Sequence, residues 1–412
     1  MPLLERERLV GYPRLFLACF ALVILTNALL GDGWIGGLGQ FIGVDFVTLY
    51  AAGWLYRFDP GHLYDFGTQG ALQAALVQAE LAGTNPTISP PWVAQAYAAL
   101  TPLPLVFAFA LWTAFTLLCV GVALEWGLRH LAPGDLARAG LTRSQAVVIV
   151  LSSLPFVEGF QVGQNHGLTL LLATGAAAAT LAGRFGLAGA VAGCLIYKPH
   201  FALGFLIVWC VWRRAAAIAG FLAVAGAWCG SALLAKGLGP FLAYADLSRH
   251  LLRLPYAPGF PAFLLVTPFG LLATLLPETA LPVLGPLVHL LFAVLAGALA
   301  AFAFAQRNLP VASRRESVVL ALLFPFLASP YALLHDLLVL FPAFLLLAHQ
   351  RGRSRALLHS AVATYCGATL LPMLGSPLGV ALVALVPIAF LVANRDAFAW
   401  REPAPGAGVA AA

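Results

Sequence analysis

The chain carries a series of apolar runs, and several of them are long enough to cross a lipid bilayer as a helix. The first extends from Pro13 to Leu30. One helical crossing needs about twenty apolar residues, so each such run is a candidate span. Only 9% of the residues are charged, against about 25% in an average soluble domain. These features predict an all-α polytopic membrane protein.

Basic residues separate the apolar runs in short clusters such as "RER", "RNLPVASRR" and "HQRGRSR". Loops of this kind stay in the cytoplasm, so both ends of the chain are predicted to lie inside. The net charge of +6 is explained by these loops, and we expect no nucleic-acid partner. The first run has no convincing cleavage site and is interpreted as a retained span.

The two rules together predict about twelve spans in a single transmembrane domain, residues 1–396, followed by a disordered cytoplasmic tail, residues 397–412. Residues 32–90 form a first extracytoplasmic loop with a helix near 67–82, and residues 237–280 form a second one with an interfacial helix. Residues 92–103 are interpreted as a re-entrant or interfacial piece. The predicted spans are 13–31, 105–128, 144–160, 167–183, 185–197, 201–212, 215–236, 281–305, 316–329, 331–349, 355–372 and 376–393.

The sequence lacks several common motifs of soluble enzymes and metal sites. The six cysteines are scattered singly without a CxxC pair, and there is no Walker loop, HExxH or GxSxG. The sequence therefore predicts neither a disulfide framework nor a metal site.

Unusual polar residues fall almost entirely on the predicted outer side. They are Asp45, Glu158, "QVGQNHG" at 161–167, "YKPH" at 197–200 and "SPYALLHD" at 329–336. Lysine and arginine alone determine the predicted orientation, so this clustering is a separate observation. It predicts one polar site on the extracytoplasmic face, built from segments far apart in the chain.

Asp45 has two interpretations. It could cap a helix beginning at Phe46 by accepting hydrogen bonds from free backbone amides. It could instead be a carboxylate of raised pKa that accepts a proton from a hydroxyl. The sequence leaves both open.

His335 and Asp336 are predicted to lie more than one turn inside an apolar helix that starts at Ser329 and Pro330. Ionisable groups there indicate function, although a pair that only ties helices together is the alternative. Lys198 breaks the positive-inside trend, which a phosphate partner would explain and snorkelling to the interface would also explain. The polar residues Gln164, Asn165 and His200 are weaker candidates beside these.

The order "DF...Y.AG", "LYD", "PPW", "GQNHGLTLLL", "KPH" and "SPYALLHDLL" resembles GT-C membrane glycosyltransferases, and specifically glycosyltransferase family 87, whose members are polyprenyl-phosphate-mannose-dependent mannosyltransferases. The resemblance covers residues 44–350. It implies a GT-C-like bundle, a polyprenyl-phosphate sugar donor, a glycolipid or glycan acceptor and inversion at the anomeric carbon. It also implies a multi-pass protein of the bacterial inner membrane with an extracytoplasmic site.

By this resemblance Asp45 is the catalytic base, and Lys198 and His335 are cations at the leaving phosphate. Such a leaving group needs neither a metal nor another cofactor, so none is expected. The remaining candidate substrate-binding residues are His200, Gln164, Asn165, Tyr50, Asp336, Arg249 and Arg253. The two arginines could equally bind anionic lipid headgroups.

A transporter or flippase of a lipid-linked sugar is the alternative function. It would also place ionisable groups among apolar helices. It should, however, show internal repeat symmetry and polar residues near the bilayer middle, and neither is found in the sequence.

Overall fold

A computed structural model describes residues 6–81, 85–132, 142–257, 260, 262–351, 355–372 and 385–393. Within these ranges the chain is helical, and β structure is limited to isolated bridges. The predicted all-α class is therefore confirmed for this part of the chain. The predicted tail at 397–412 lies outside the described residues, as does the first half of the predicted span at 376–393.

The helices follow one another with short connections. They are α1 Arg6–Leu29, α2 Val44–Phe58, α3 Phe66–Val77, α4 Pro91–Ala98, α5 Leu105–His130, α6 Arg143–Leu151, α7 Leu154–Val162, α8 His166–Leu181, α9 Phe185–Gly193, α10 His200–Val211, α11 Ala215–Lys236, α12 Gly239–Arg249, α13 Pro268–Leu275, α14 Leu281–Gln306, α15 Arg315–Ala328, α16 Leu340–Arg351, α17 Arg355–Leu370 and α18 Val386–Ala393. Short 3₁₀ helices include Cys194–Tyr197, Leu251–Tyr256 and Leu334–Val339.

Four described helices are long and apolar enough to cross a membrane: Val10–Leu29, Leu105–His130, Ala215–Lys236 and Glu278–Gln306. Further apolar helices are shorter, among them α8 and α10. Apolar helices of this kind fit a membrane protein. The predicted number of about twelve spans stays a prediction, because most of the other segments are shorter than a full crossing.

The predicted span at 144–160 is a broken element. Helices α6 and α7 meet at an angle of 59°, at Ser152 and Ser153. Pro155 lies in the first turn of α7, where its fixed φ angle favours a new helix start. The break turns the end of α7, with Glu158 and Gln164 around it, into the interior of the protein.

Small residues let α9 and α11 approach very closely. A Cβ atom on Gly189 would overlap the backbone of Ala217, and one on Gly220 would overlap the carbonyl oxygen of Gly186. Interfaces of small residues are typical of helix pairs in membranes, where close packing replaces the hydrophobic effect.

The segment from Ser329 to Leu333 is extended, so the prediction of a helix starting at Ser329 was wrong. Helix α15 ends at Ala328, and Ser329 follows in an extended conformation. The segment is instead bound to the second long loop, where Val266 N donates to Ala332 O at 2.8 Å and Leu265 forms a bridge with Leu333. His335 and Asp336 consequently lie in the 3₁₀ helix Leu334–Val339, at the start of a helical segment.

Candidate functional site

A cavity of about 430 Å³ collects side chains from distant parts of the chain. Most of the predicted site residues line it, namely Asp45, Gln164, Asn165, Lys198, His200 and Asp336. The predicted meeting of these segments in one place is therefore seen in the structure. Other parts of the lining are apolar, with Leu203, Leu251 and Phe292 among them.

Asp45 does not cap its helix. Helix α2 begins at Val44 after Gly43, which has a φ angle of 67°, and no side chain caps this end. The Asp45 carboxylate instead accepts two amide hydrogen bonds, from Asn85 Nδ2 to Oδ1 at 2.9 Å and from Gln164 Nε2 to Oδ2 at 2.8 Å. Both carboxylate oxygens are thus oriented by side chains, and each keeps a lone pair for another donor.

Two glycines with left-handed backbone place Asp45 beside Gln164. Gly43 N donates to Gln161 O at 2.8 Å, which joins the start of α2 to the end of α7. Gly163, with a φ angle of 71°, ends α7, and a Cβ atom there would lie 2.6 Å from Phe46 Cβ. Positive φ angles favour glycine, and no side chain fits between these two segments.

The Asp45 carboxylate is partly exposed to the cavity but surrounded by protein on its other sides. This burial raises the pKa of Asp45 above its ordinary value of 3.8. The charge of His335 lowers the pKa, that of Glu158 raises it, and the amide hydrogen bonds from Asn85 and Gln164 lower it; burial is the largest of these effects. Asp45 is thus a more basic carboxylate than an exposed one.

Two side-chain hydrogen bonds fix the backbone of Asn85. Its carbonyl oxygen accepts hydrogen bonds from Gln73 Nε2 at 2.8 Å and from Thr48 Oγ1 at 3.0 Å. The long loop after α3 is thereby fastened to α2, and the Asn85 amide is aimed at Asp45.

Lys198 and Asp336 form an ion pair at the cavity wall. Lys198 Nζ lies 2.6 Å from Asp336 Oδ1, and Asp336 Oδ2 accepts a hydrogen bond from Leu333 N at 3.0 Å. Lys198 sits in the tight turn between the 3₁₀ helix Cys194–Tyr197 and α10. An ammonium group has three donors, so this pair leaves Lys198 able to contact an anion in the cavity.

His335 lies behind this wall and does not line the cavity. Its side chain is fully buried, and Nδ1 lies 2.9 Å from Glu158 Oε2 while Nε2 lies 3.8 Å from Asp336 Oδ1. Glu158, His335, Asp336 and Lys198 therefore form a row of alternating acidic and basic groups. His335 does not line the cavity itself, but it contacts Asp336, which does.

Some buried polar atoms of the site have no hydrogen-bond partner within the described structure. They are His200 Nε2, Asn165 Oδ1, His166 Nε2 and His335 Nε2. His200 and Asn165 also line the cavity. Buried polar groups are normally hydrogen-bonded, so these two side chains hold unused hydrogen-bonding capacity at the cavity wall.

Three predicted candidates lie elsewhere. Tyr50 is buried and its hydroxyl donates to Leu103 O at 2.8 Å. Arg249 is exposed and pairs with Asp246 at 3.5 Å. Arg253 lines a separate pocket together with Glu278. None of the three lines the cavity that holds Asp45.

Asn85 is absent from the predicted site, and Glu158 is predicted to lie there without a role. Asn85 stands in "NPTISPPW", where the prolines indicate only a turn. Glu158 was noted as an unusual polar residue but without a partner, since His335 is 177 residues away in sequence. Among the described residues no group of three or more His, Cys, Asp or Glu side chains is placed to hold a metal ion.

Comparison with known protein families gives a match. The model described as Glycosyltransferase family 87 matches residues 88–330, which is more than half of the chain. The matched region contains Glu158, Gln164 and Lys198, whereas Asp45 precedes it and Asp336 follows it. Neither a curated protein nor a solved structure matches the chain.

Proposed function

Since the chain belongs to glycosyltransferase family 87, and is thus a glycosyltransferase, we propose that it moves a hexose from a polyprenyl-phosphate donor to a hydroxyl group. Mannose is the first candidate sugar, and the acceptor is a glycolipid or glycan. We place the reaction on the extracytoplasmic face of the bacterial inner membrane, in a GT-C-like bundle. The observation that carries this proposal is the orientation of Asp45 by Asn85 and Gln164 in the cavity that Lys198 and His200 also line.

The chemistry assigned to Asp45 is general base catalysis. As the acceptor oxygen bonds to the anomeric carbon, its proton passes to the Asp45 carboxylate, whose pKa is raised by burial. The bond between the anomeric carbon and the phosphate oxygen breaks, and the phosphate leaves with the electron pair. One displacement of this kind inverts the anomeric carbon and needs no second carboxylate as nucleophile.

The positive charge of Lys198, in the lining of the same cavity, suits the leaving phosphate. Lys198 Nζ is only slightly exposed and is fixed by Asp336, and the unpartnered His200 Nε2 lies on the next turn. Fixed cationic and polar donors stabilise developing negative charge most strongly where water is excluded. His335 is assigned a positioning role, because it contacts Asp336 and not the cavity.

The apolar part of the lining suits the lipid chain of the donor. Phe292 belongs to α14, which is a candidate membrane span with most of its surface uncovered by protein. An apolar chain that leaves the cavity past Phe292 would enter lipid without crossing a polar surface.

The direct test is sugar transfer by the full chain reconstituted in lipid vesicles, with labelled polyprenyl-phosphate mannose and polyprenyl-phosphate glucose as donors. Asp45→Asn should lower transfer by about 10²- to 10⁴-fold, the usual contribution of a general base. The matched control is Asp59→Asn, since Asp59 is a partly exposed carboxylate that pairs, among the described residues, with exposed His62. Undiminished transfer by Asp45→Asn would rule out the assigned base, and transfer from neither donor would rule out the donor class.

A further inference from the structure

A second group of charged side chains lies at the end of the bundle opposite the cavity. Helices α8, α10 and α15 each have one end at the cavity, near Asn165, His200 and Ser329. α8 has 16 residues, which corresponds to about 24 Å. The other ends of these helices carry the loops at 181–185, 212–214 and 306–315, which come together far from Asp45.

Arg314 is the most deeply covered charge in these loops. Its side chain is only 4% exposed, Nε donates to Leu309 O at 2.7 Å, and Cζ lies 4.8 Å from the centre of the Trp212 ring. Nη1 is buried and has no hydrogen-bond partner. A buried guanidinium donor without an acceptor is costly.

Arg214 lies near Arg314, and it is likewise covered by an aromatic ring and has a buried donor atom without a hydrogen-bond partner. Its Cζ atom lies 4.5 Å from the centre of the Phe185 ring, and its Nε is buried without a partner. Burial lowers the pKa of Arg314, and the positive charge of Arg214 lowers it further, so the two guanidinium groups repel each other.

No carboxylate of the described residues forms an ion pair with either guanidinium group. Glu316, an acidic residue of this region, acts on Arg315 and accepts a hydrogen bond from Gln306 at 3.4 Å. Two neighbouring covered cations with unused donors favour an anionic ligand. Planar guanidinium groups with several donors match phosphate in particular.

We propose that Arg214 and Arg314 bind a phosphate group at the membrane boundary, at the end of the bundle opposite the active-site cavity. The phosphate is that of an anionic phospholipid headgroup or of a soluble phosphate. The aromatic rings of Trp212 and Phe185 each cover one guanidinium group and leave the phosphate to take the remaining donors.

The test uses the purified full chain in detergent and measures the thermal unfolding midpoint with added phosphatidylglycerol, with phosphatidylcholine, or with inorganic phosphate. Native mass spectrometry then counts the bound lipid. Phosphatidylglycerol should raise the midpoint of the wild type, and Arg214→Gln should weaken its binding about fivefold or more, because one arginine near an anionic lipid contributes about 1 kcal/mol. Arg214→Gln removes no described hydrogen bond, so it keeps the test decisive if Arg314→Gln fails to fold.

The matched control is Arg307→Gln, which removes an exposed charge from the same end. Retained binding in Arg307→Gln with loss in Arg214→Gln supports a lipid headgroup site. Stabilisation by inorganic phosphate with the same dependence on Arg214 supports the site with a soluble source. Equal loss in Arg214→Gln and Arg307→Gln, or no response to either phosphate, overturns the proposal. Sugar transfer is not a readout, so the outcome does not depend on the function proposed above.

Discussion

Lys198 Nζ lies 2.6 Å from Asp336 Oδ1, and this ion pair is almost entirely covered by protein, with side-chain exposures of 15% and 3%. It joins residues 138 positions apart in sequence. The pair links the turn before α10 to the 3₁₀ helix Leu334–Val339, and so connects two walls of the cavity.

Lys198→Met should destabilise the protein by about 3–5 kcal/mol, the usual cost of removing one partner from a buried ion pair. The cause is the Asp336 carboxylate, which is left without its cation. Thermal unfolding in a single detergent measures the effect, and the double variant Lys198→Met with Asp336→Leu should recover much of the loss. Lys236→Met is the matched control, since Lys236 Nζ contacts the backbone oxygen of Arg57 and the Tyr56 ring and has no carboxylate partner among the described residues; equal effects at the two lysines would contradict a special role for the Lys198–Asp336 pair.

The location of this pair could be predicted only in part. The polar residues stand out in an apolar chain, so Asp45, Lys198 and Asp336 were found from sequence, together with their placement in one site. The hydrogen bond from Asn85 to Asp45 and the contact of Glu158 with His335 could not be predicted, because Asn85 looks like an ordinary turn residue and Glu158 is far from His335 in sequence.

The prediction of a helix starting at Ser329 was wrong because tertiary contacts hold this segment in an extended form. Ser329 and Pro330 fit a helix start locally, but Val266 and Leu265 bind residues 332 and 333 in an extended form. Thr267 Oγ1 also donates to Pro330 O at 3.2 Å. The local sequence around Ser329 cannot reveal contacts with a loop that lies 63 residues earlier at Thr267. These long-range contacts override the local preference for a helix.

Gly159 is expected to tolerate no side chain. A Cβ atom there would lie 2.5 Å from His166 Nδ1 and 2.8 Å from His335 Cβ, so Gly159→Ala should cost about 1–3 kcal/mol, as other overpacked sites do. It should also lower sugar transfer, because it displaces the residue that contacts Asp336. Gly230→Ala is the control, since nothing lies within 4 Å of the added atom. A Gly159→Ala protein as stable and active as Gly230→Ala would show that this packing is not needed.

The sidedness of the protein can be tested with single cysteines introduced after the six native ones are replaced. Gly61 and Asn308 are exposed and lie in the loop after α2 and in the loop after α14. The proposed orientation places Gly61→Cys outside and Asn308→Cys in the cytoplasm. A membrane-impermeant thiol reagent added to intact cells should therefore label the first and not the second, and the reverse pattern would invert the orientation.

The pH dependence of sugar transfer should reveal the state of Asp45. A general base acts as the carboxylate, so transfer is lost as the pH falls through its pKa. Burial raises that pKa above 3.8, and the acid limb of kcat/KM should accordingly lie at a higher pH than that of an exposed aspartate.

The amides of Asn85 and Gln164 stabilise the charged form and lower the pKa. Removing either donor, in Asn85→Ala or Gln164→Ala, should move the acid limb to still higher pH, whereas Asn308→Ala, an exposed asparagine far from Asp45, should leave it unchanged. A limb that stays in place in Asn85→Ala and Gln164→Ala would mean that Asp45 is not the group that titrates.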